Sequence, residues 1–255
     1  MLLVAWMSYS CVPNKKFVYL QKEDVNKKDL PKDSVVRSYN LQIRDYTIQP
    51  LDILSVNVES LTNEEFDFMN RLIPAGQGQG LGQNGLLLSG FVVDQAGEIE
   101  FPIIGKIKFS GLNIFEAQEK LQGVLKSYLK NPVARIRLLN FRITVLGEVN
   151  RESQVNSQNT RVTLMEVIGL AGGLTDLADR ANVKVIRQHG DKAEVFYMNL
   201  LDEDLLTMDN YYVQQNDIIV VPSLKQRPFR RYLGQNLALF VSTISVILLT
   251  VNLLN

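Results

Sequence analysis

Hydrophobic positions change period several times along this chain, and each change marks an element. Residues 46–58 carry a turn at Pro50 and then alternate, with Leu54, Val56 and Val58 on one side, which predicts a half-buried strand. Thr62 with Glu65 three residues on forms a capping box and predicts a short helix to Leu72, with Phe66, Met69 and Ile73 on one face. A glycine and glutamine loop follows at 75–85, and a strand begins at Leu86. Strand pattern resumes on both sides of residues 94–97, where a hairpin is expected because Gly97 can supply the positive φ of a tight turn. Asn113 and Glu116 cap a helix whose expected core stripe is Phe115, Leu121, Val124, Leu125, Tyr128 and Leu129, and Asn131-Pro132 ends it.

The second half repeats this grammar. Strands are expected at 133–138 and 141–149, then a second capping box, Thr163 with Glu166, opens a short helix that carries Leu164, Val167 and Ile168. The pair Gly172-Gly173 stops that helix. Residues 182–187 and 193–198 read as a hairpin around 189–191, and 218–221 as a closing strand. Strands and short helices mix without strict alternation, which predicts an α+β fold rather than a doubly wound sheet. A break near Asn140 separates two units of similar size, the second β-grasp-like in outline.

Residues 232–255 carry no charged side chain and follow Arg227, Arg230 and Arg231. As a helix they would be about 35 Å long, enough for a hydrocarbon core of about 30 Å. The pattern therefore predicts a transmembrane helix over 225–255, with those three arginines at the membrane interface. Gln235, Asn236, Ser242, Thr243 and Thr250 fall on one face of it, which is expected to meet a water-filled lumen or a neighbouring helix. A single-span anchor with a few tolerated polar residues is the plainer reading.

Composition narrows the partners. The 255 residues balance 27 Lys and Arg against 27 Asp and Glu, so no basic face for nucleic acid is expected, and the length suits two domains with appendages. The one cysteine, Cys11, excludes an intrachain disulfide. It follows an apolar run at 1–7 and Ser8-Tyr9-Ser10 and precedes a polar stretch, which resembles the end of a bacterial lipoprotein signal peptide. Acylation of Cys11 after removal of 1–10 is expected, the alternative being an incidental or buried thiol. No Lys or Arg precedes the apolar run, so the true start is expected upstream. Residues 11–39, rich in Lys and Asp, read as an extended tether.

Candidate chemistry is sparse. The loop at 75–85 lacks the Lys and Ser or Thr of a phosphate cradle. His189, the lone histidine, reads as a solvated hairpin residue because no second His or Cys exists to share a metal. Asp202-Glu203-Asp204 could be weighed as a glycosidase pair, but adjacent carboxylates on a turn read better as a cap. No nucleophile elbow, redox or nucleotide motif is present, so no enzyme, cofactor or metal is expected.

The order and spacing of several short pieces resemble the outer-membrane polysaccharide biosynthesis/export proteins. Tyr46, Ile48, Pro50, Asp52, Val56, Val93-Asp94, Gly97, Ile99, Pro102, Gly105, Gly111-Leu112, Glu116-Ala117 and Pro132-Val133 are similar to that family's export domain, placed at 40–139. Gly147-Glu148-Val149, Glu166, Ile168, Ala171-Gly172-Gly173, Val185-Ile186-Arg187 and the run from Asp217 to Pro222 are similar to an SLBB β-grasp domain, placed at 140–224. Leu51 and Asn216 stand where the family usually has glycine before aspartate, so those turns are expected to be built differently. The resemblance implies a lipid-anchored protein of the outer membrane with its body in the periplasm. Copies would form a homo-oligomeric ring, a channel for capsular polysaccharide or exopolysaccharide. It also implies an inner-membrane polysaccharide copolymerase, often coupled to a tyrosine kinase, as partner. The alternative from another class is a monomeric, membrane-anchored, glycan-binding lipoprotein without pore activity.

Overall fold

In the computed structural model the described residues are 14–22, 37–43, 45–61, 90–225 and 227–254, with the side chains of the last helix described over 237–253. Cys11, the helix expected after Thr62, the loop at 75–85 and the strand expected at Leu86 lie outside them.

Alternation builds the first domain. Strand β1 (Ile53–Glu59) buries Leu54, Val56 and Val58, as the period-two pattern requires. It lies between β2 (Phe91–Val92) and β5 (Val133–Leu138), antiparallel to both. Between them run β3 (Glu98–Phe101), β4 (Gly105–Lys108) and helix α1 (Ile114–Leu125). The Asn113–Glu116 capping box forms: Asn113 Oδ1 accepts from the Phe115 and Glu116 amides, and Glu116 accepts from the Asn113 amide, all at 2.9 Å. Leu121, Leu125 and Leu129 are buried, but Phe115 and Tyr128 of the expected stripe are exposed, at 68% and 47%. Phe115 stands in the first turn of the helix and Tyr128 in the turn beyond its end at Leu125.

The turn expected at 94–97 forms, with the Gly97 amide donating to the Asp94 carbonyl and the Asp94 amide to the Glu98 carbonyl, both at 2.9 Å, but no ladder pairs β2 with β3. β3 pairs with β4 across a turn at 102–104, while β2 pairs with β1, so residues 94–97 pass the chain from one sheet to the other. Gly97 is still required there: its φ is +81°, and a Cβ would sit 2.2 Å from the Ser110 Cβ.

In the second domain β6 (Arg142–Gly147), β7 (Ser153–Asn156), β9 (Val183–His189), β10 (Lys192–Met198) and β12 (Ile218–Val221) form one sheet in the order β10-β9-β12-β6-β7. The central pair β12–β6 is parallel and the others antiparallel. A small pair, β8 (Val162–Thr163) with β11 (Tyr212–Val213), flanks helix α2 (Leu164–Leu170), which buries Leu164, Val167 and Ile168. Gly172 and Gly173 end α2 at φ of +84° and +82°, with the Gly173 amide reaching back to the Ile168 carbonyl. This is the sheet-over-helix outline read from the sequence. One continuous apolar cluster runs through both domains.

Helix α3 (Arg227–Leu254) closes the chain. The expectation that it crosses a membrane is corrected: among the described residues no helix is long and apolar enough to do so. Ser242, Thr243, Ser245, Thr250 and Asn252 interrupt its apolar side chains. The fold is α+β without a transmembrane span among the described residues.

Candidate functional site

Two turns of the same design bracket the join between the domains. In the first, residues 49–52, the Asp52 amide donates to the Gln49 carbonyl (3.2 Å), and Asp52 Oδ2 accepts from the Gln49 amide (2.9 Å). In the second, residues 214–217, the Asp217 amide donates to the Gln214 carbonyl (3.2 Å), and Asp217 Oδ2 accepts from the Gln214 amide (2.7 Å). The third residue of each is left-handed, Leu51 at φ +71° and Asn216 at φ +63°. The expectation that these turns are built differently is therefore corrected. The backbone shape is the one glycine would adopt freely, reached by an asparagine that tolerates it and a leucine that does not.

Both aspartates are buried, and their charges are handled in different ways. Arg187 grips Asp217 with two hydrogen bonds, Nε to Oδ1 at 2.9 Å and Nη2 to Oδ2 at 2.7 Å, and its Nη1 donates to Asn210 Oδ1. Asp52 instead accepts from the Tyr46 hydroxyl at 2.7 Å. Burial raises the Asp52 carboxyl above its ordinary value, against the lowering effect of the Gln49 amide and Tyr46 hydroxyl. Burial also raises the Tyr46 phenol, and the neighbouring Asp52 adds to this.

Asn140 joins the two turns. Its Oδ1 accepts from the Ile53 amide (2.9 Å), its Nδ2 donates to the Leu51 carbonyl (3.2 Å), and its own carbonyl accepts from Gln215 Nε2 (2.7 Å). Gln215 Oε1 then accepts from the Arg142 amide. The Tyr46 ring meets the Phe141 ring edge-on at 5.8 Å, and Asp45 pairs with Arg161 at 2.5 Å. The seam is thus stitched by polar and aromatic contacts from both sides. Beside it opens a cleft of about 330 Å³ between Asp45, Asn113, Phe115, Thr160 and Arg161, so the exposed Phe115 is one of its walls.

The remaining family-motif residues lie in turns and close backbone contacts. Pro50 lies in the first turn, and Asp94 Oδ1 accepts from the Glu98 amide. Pro102 and Gly105 flank the β3–β4 turn, whose exposed tip, Ile103, has φ +71°. Gly147 is fixed by packing, since a Cβ would lie 2.1 Å from the Val221 carbonyl oxygen. These residues are not brought together into one pocket. Asp202 caps a 3₁₀ turn (Glu203–Thr207), as the sequence suggested. Its neighbours hold the N-terminal segment: Glu203 accepts from Arg37 and from the Tyr39 hydroxyl, and Asp204 pairs with Lys22 at 3.1 Å. The Leu20 and Gln21 amides donate to the Leu200 and Leu201 carbonyls, so this part of the expected tether is docked on the second domain. Arg180 escaped sequence reasoning because its aromatic partners come from distant positions, and Tyr46 and Asp52, read as family-motif residues, carried no signal that they pair.

On α3, the Ser242, Thr243 and Thr250 hydroxyls donate to carbonyls three or four residues back. Their side chains are exposed, as are the apolar ones between them. The side chains of Gln235, Asn236, Arg227, Arg230, Arg231 and His189 lie outside the described residues, as does Cys11. Among the described residues no group of three or more His, Cys, Asp or Glu side chains could hold a metal ion.

A sheet-and-helix domain stitched to a β-grasp domain through polar turns defines a two-domain α+β protein. The chain belongs to the polysaccharide biosynthesis/export family: residues 41–139 match the polysaccharide biosynthesis/export protein model, and residues 142–221 match that of the SLBB domain. Among curated relatives, the EPS I polysaccharide export outer membrane protein EpsA of Ralstonia nicotianae is 29% identical over 138 residues, 52% of this chain and 36% of the relative. Its namesake in Ralstonia solanacearum is 29% identical over 136 residues, with the same coverage. The match spans about a third of the length of these relatives.

Proposed function

We propose that this chain is the outer-membrane component of a capsular polysaccharide or exopolysaccharide exporter. In this reading its body lies in the periplasm, acylated Cys11 anchors it, and copies form a ring that conducts the polymer. The consecutive match to export and SLBB domains, together with relatives named as outer-membrane export proteins, carries the proposal. A hydrated polymer needs a wide, weakly binding passage instead of a catalytic pocket, and a stitched seam suits a ring subunit that must hold its shape. Assembly is supported by α3, whose described apolar side chains are exposed along its length and call for a covering neighbour. Neighbouring α3 helices would then meet, or enclose a lumen, along Gln235, Asn236, Ser242, Thr243 and Thr250. The exposed, left-handed Leu51 and Ile103 are further apolar points that a neighbouring subunit could cover.

The protein has no enzymatic role in this proposal. Its partners are the polysaccharide and an inner-membrane copolymerase coupled to a tyrosine kinase. The test is surface polysaccharide in cells lacking the chain: it should be lost, and restored by the intact gene. Undiminished surface polymer would contradict the proposal.

A further inference from the structure

Among the described residues Arg180 is a buried cation with no carboxylate paired to it. It is 6% exposed, and its guanidinium lies 5.1 Å from the Phe17 ring centroid and 5.5 Å from that of Tyr19. Its hydrogen bonds are long, Nη1 to the Ala178 carbonyl at 3.5 Å and Nη2 to the Thr175 carbonyl at 3.3 Å, and its buried Nε has no partner. None of the ion pairs among the described residues includes it. Arg187, equally buried, is matched by Asp217. Aromatic faces offset only part of the cost of burying a guanidinium.

Arg180 also lines a cavity of about 340 Å³, whose walls include Lys16, Lys225, Asn182 and Asp179. Three cations thus face one carboxylate. That carboxylate is already occupied by the Ala181 amide and Asn182 Nδ2, at 3.2 and 2.9 Å. The lysines are exposed, so the cavity is reachable from solvent. Lys225 stands two residues before α3, whose described stretch exposes Leu, Val, Ile and Phe on all sides.

We propose that this cavity binds the phosphate of an anionic lipid headgroup. Three cationic groups against a single, already hydrogen-bonded carboxylate suit a phosphate, and the adjacent apolar helix favours a lipid over a soluble anion as its source. Contact with a lipid surface does not require crossing it. The proposal is independent of polysaccharide export.

The experiment measures binding of the full chain to phosphatidylglycerol vesicles and to phosphatidylcholine vesicles. The exposed pair Lys16→Gln with Lys225→Gln should weaken phosphatidylglycerol binding by about thirtyfold, from the usual contribution of two lysines near a lipid surface. The control pair Lys126→Gln with Lys192→Gln should leave it unchanged, and glycerol 3-phosphate should compete where glucuronate does not. Arg180→Gln should abolish the preference in protein that remains folded. Equal loss in the control pair, no preference for phosphatidylglycerol, or better competition by glucuronate would each overturn the proposal, the last in favour of an acidic glycan.

Discussion

Leu51 and Asn216 occupy the same left-handed corner of matching turns, yet their cost differs. Leu51 is 69% exposed, so trimming it removes little packing, and Leu51→Gly should raise stability by about 0.5–1 kcal/mol in urea unfolding. Asn216→Gly should gain less, because Asn216 Oδ1 accepts from Arg142 Nε at 3.1 Å. The paired aspartates diverge more sharply. Asp217→Ala would strand the buried Arg187 and should cost about 3–5 kcal/mol in the same assay. At Asp52 the folded-state pKa is raised, so its stabilising contribution is fully present below the unfolded value near 3.8 and is lost as pH rises through the folded value. Asp52→Asn should therefore gain stability relative to the parent over that rise and level off above it. A pH-independent difference between the two proteins would contradict this.

At the scale of elements, what the sequence revealed was what neighbours in sequence build. The capping boxes at Asn113 and Thr163 and the glycine stop after α2 are made within a few residues, and each stands where its pattern predicts. Pairing of β2 with β1 depends on residues far apart in the chain, so the turn at 94–97 was legible but the sheet that β2 joins was not. Phe115 fitted the helical stripe but is exposed in the first turn of α1, and no local signal distinguishes that position. The seam was visible only as a break near Asn140; the residue that bridges both turns carries no motif. Asn140→Ala should leave the Ile53 amide and the Leu51 carbonyl less well paired and cost about 1–3 kcal/mol, with faster hydrogen exchange at Ile53 than in the parent. Unchanged exchange would mean that the seam does not depend on this side chain.

For the whole molecule, the family was legible because its residues punctuate turns, and turns need particular residues. The N-terminal contacts were not, since Phe17, Tyr19 and Gln21 meet Arg180 and Asp202 across most of the chain length. The apolar 232–255 run was read for membrane crossing, whereas the structure shows a helix whose described side chains are exposed and uncovered. A ring would give those side chains a partner, and assembly is also what separates a conduit from a monomeric glycan-binding lipoprotein. Native mass spectrometry of the detergent-extracted full chain measures this directly. A closed oligomer of one defined copy number is the predicted result, and a strictly monomeric protein with α3 intact would contradict it.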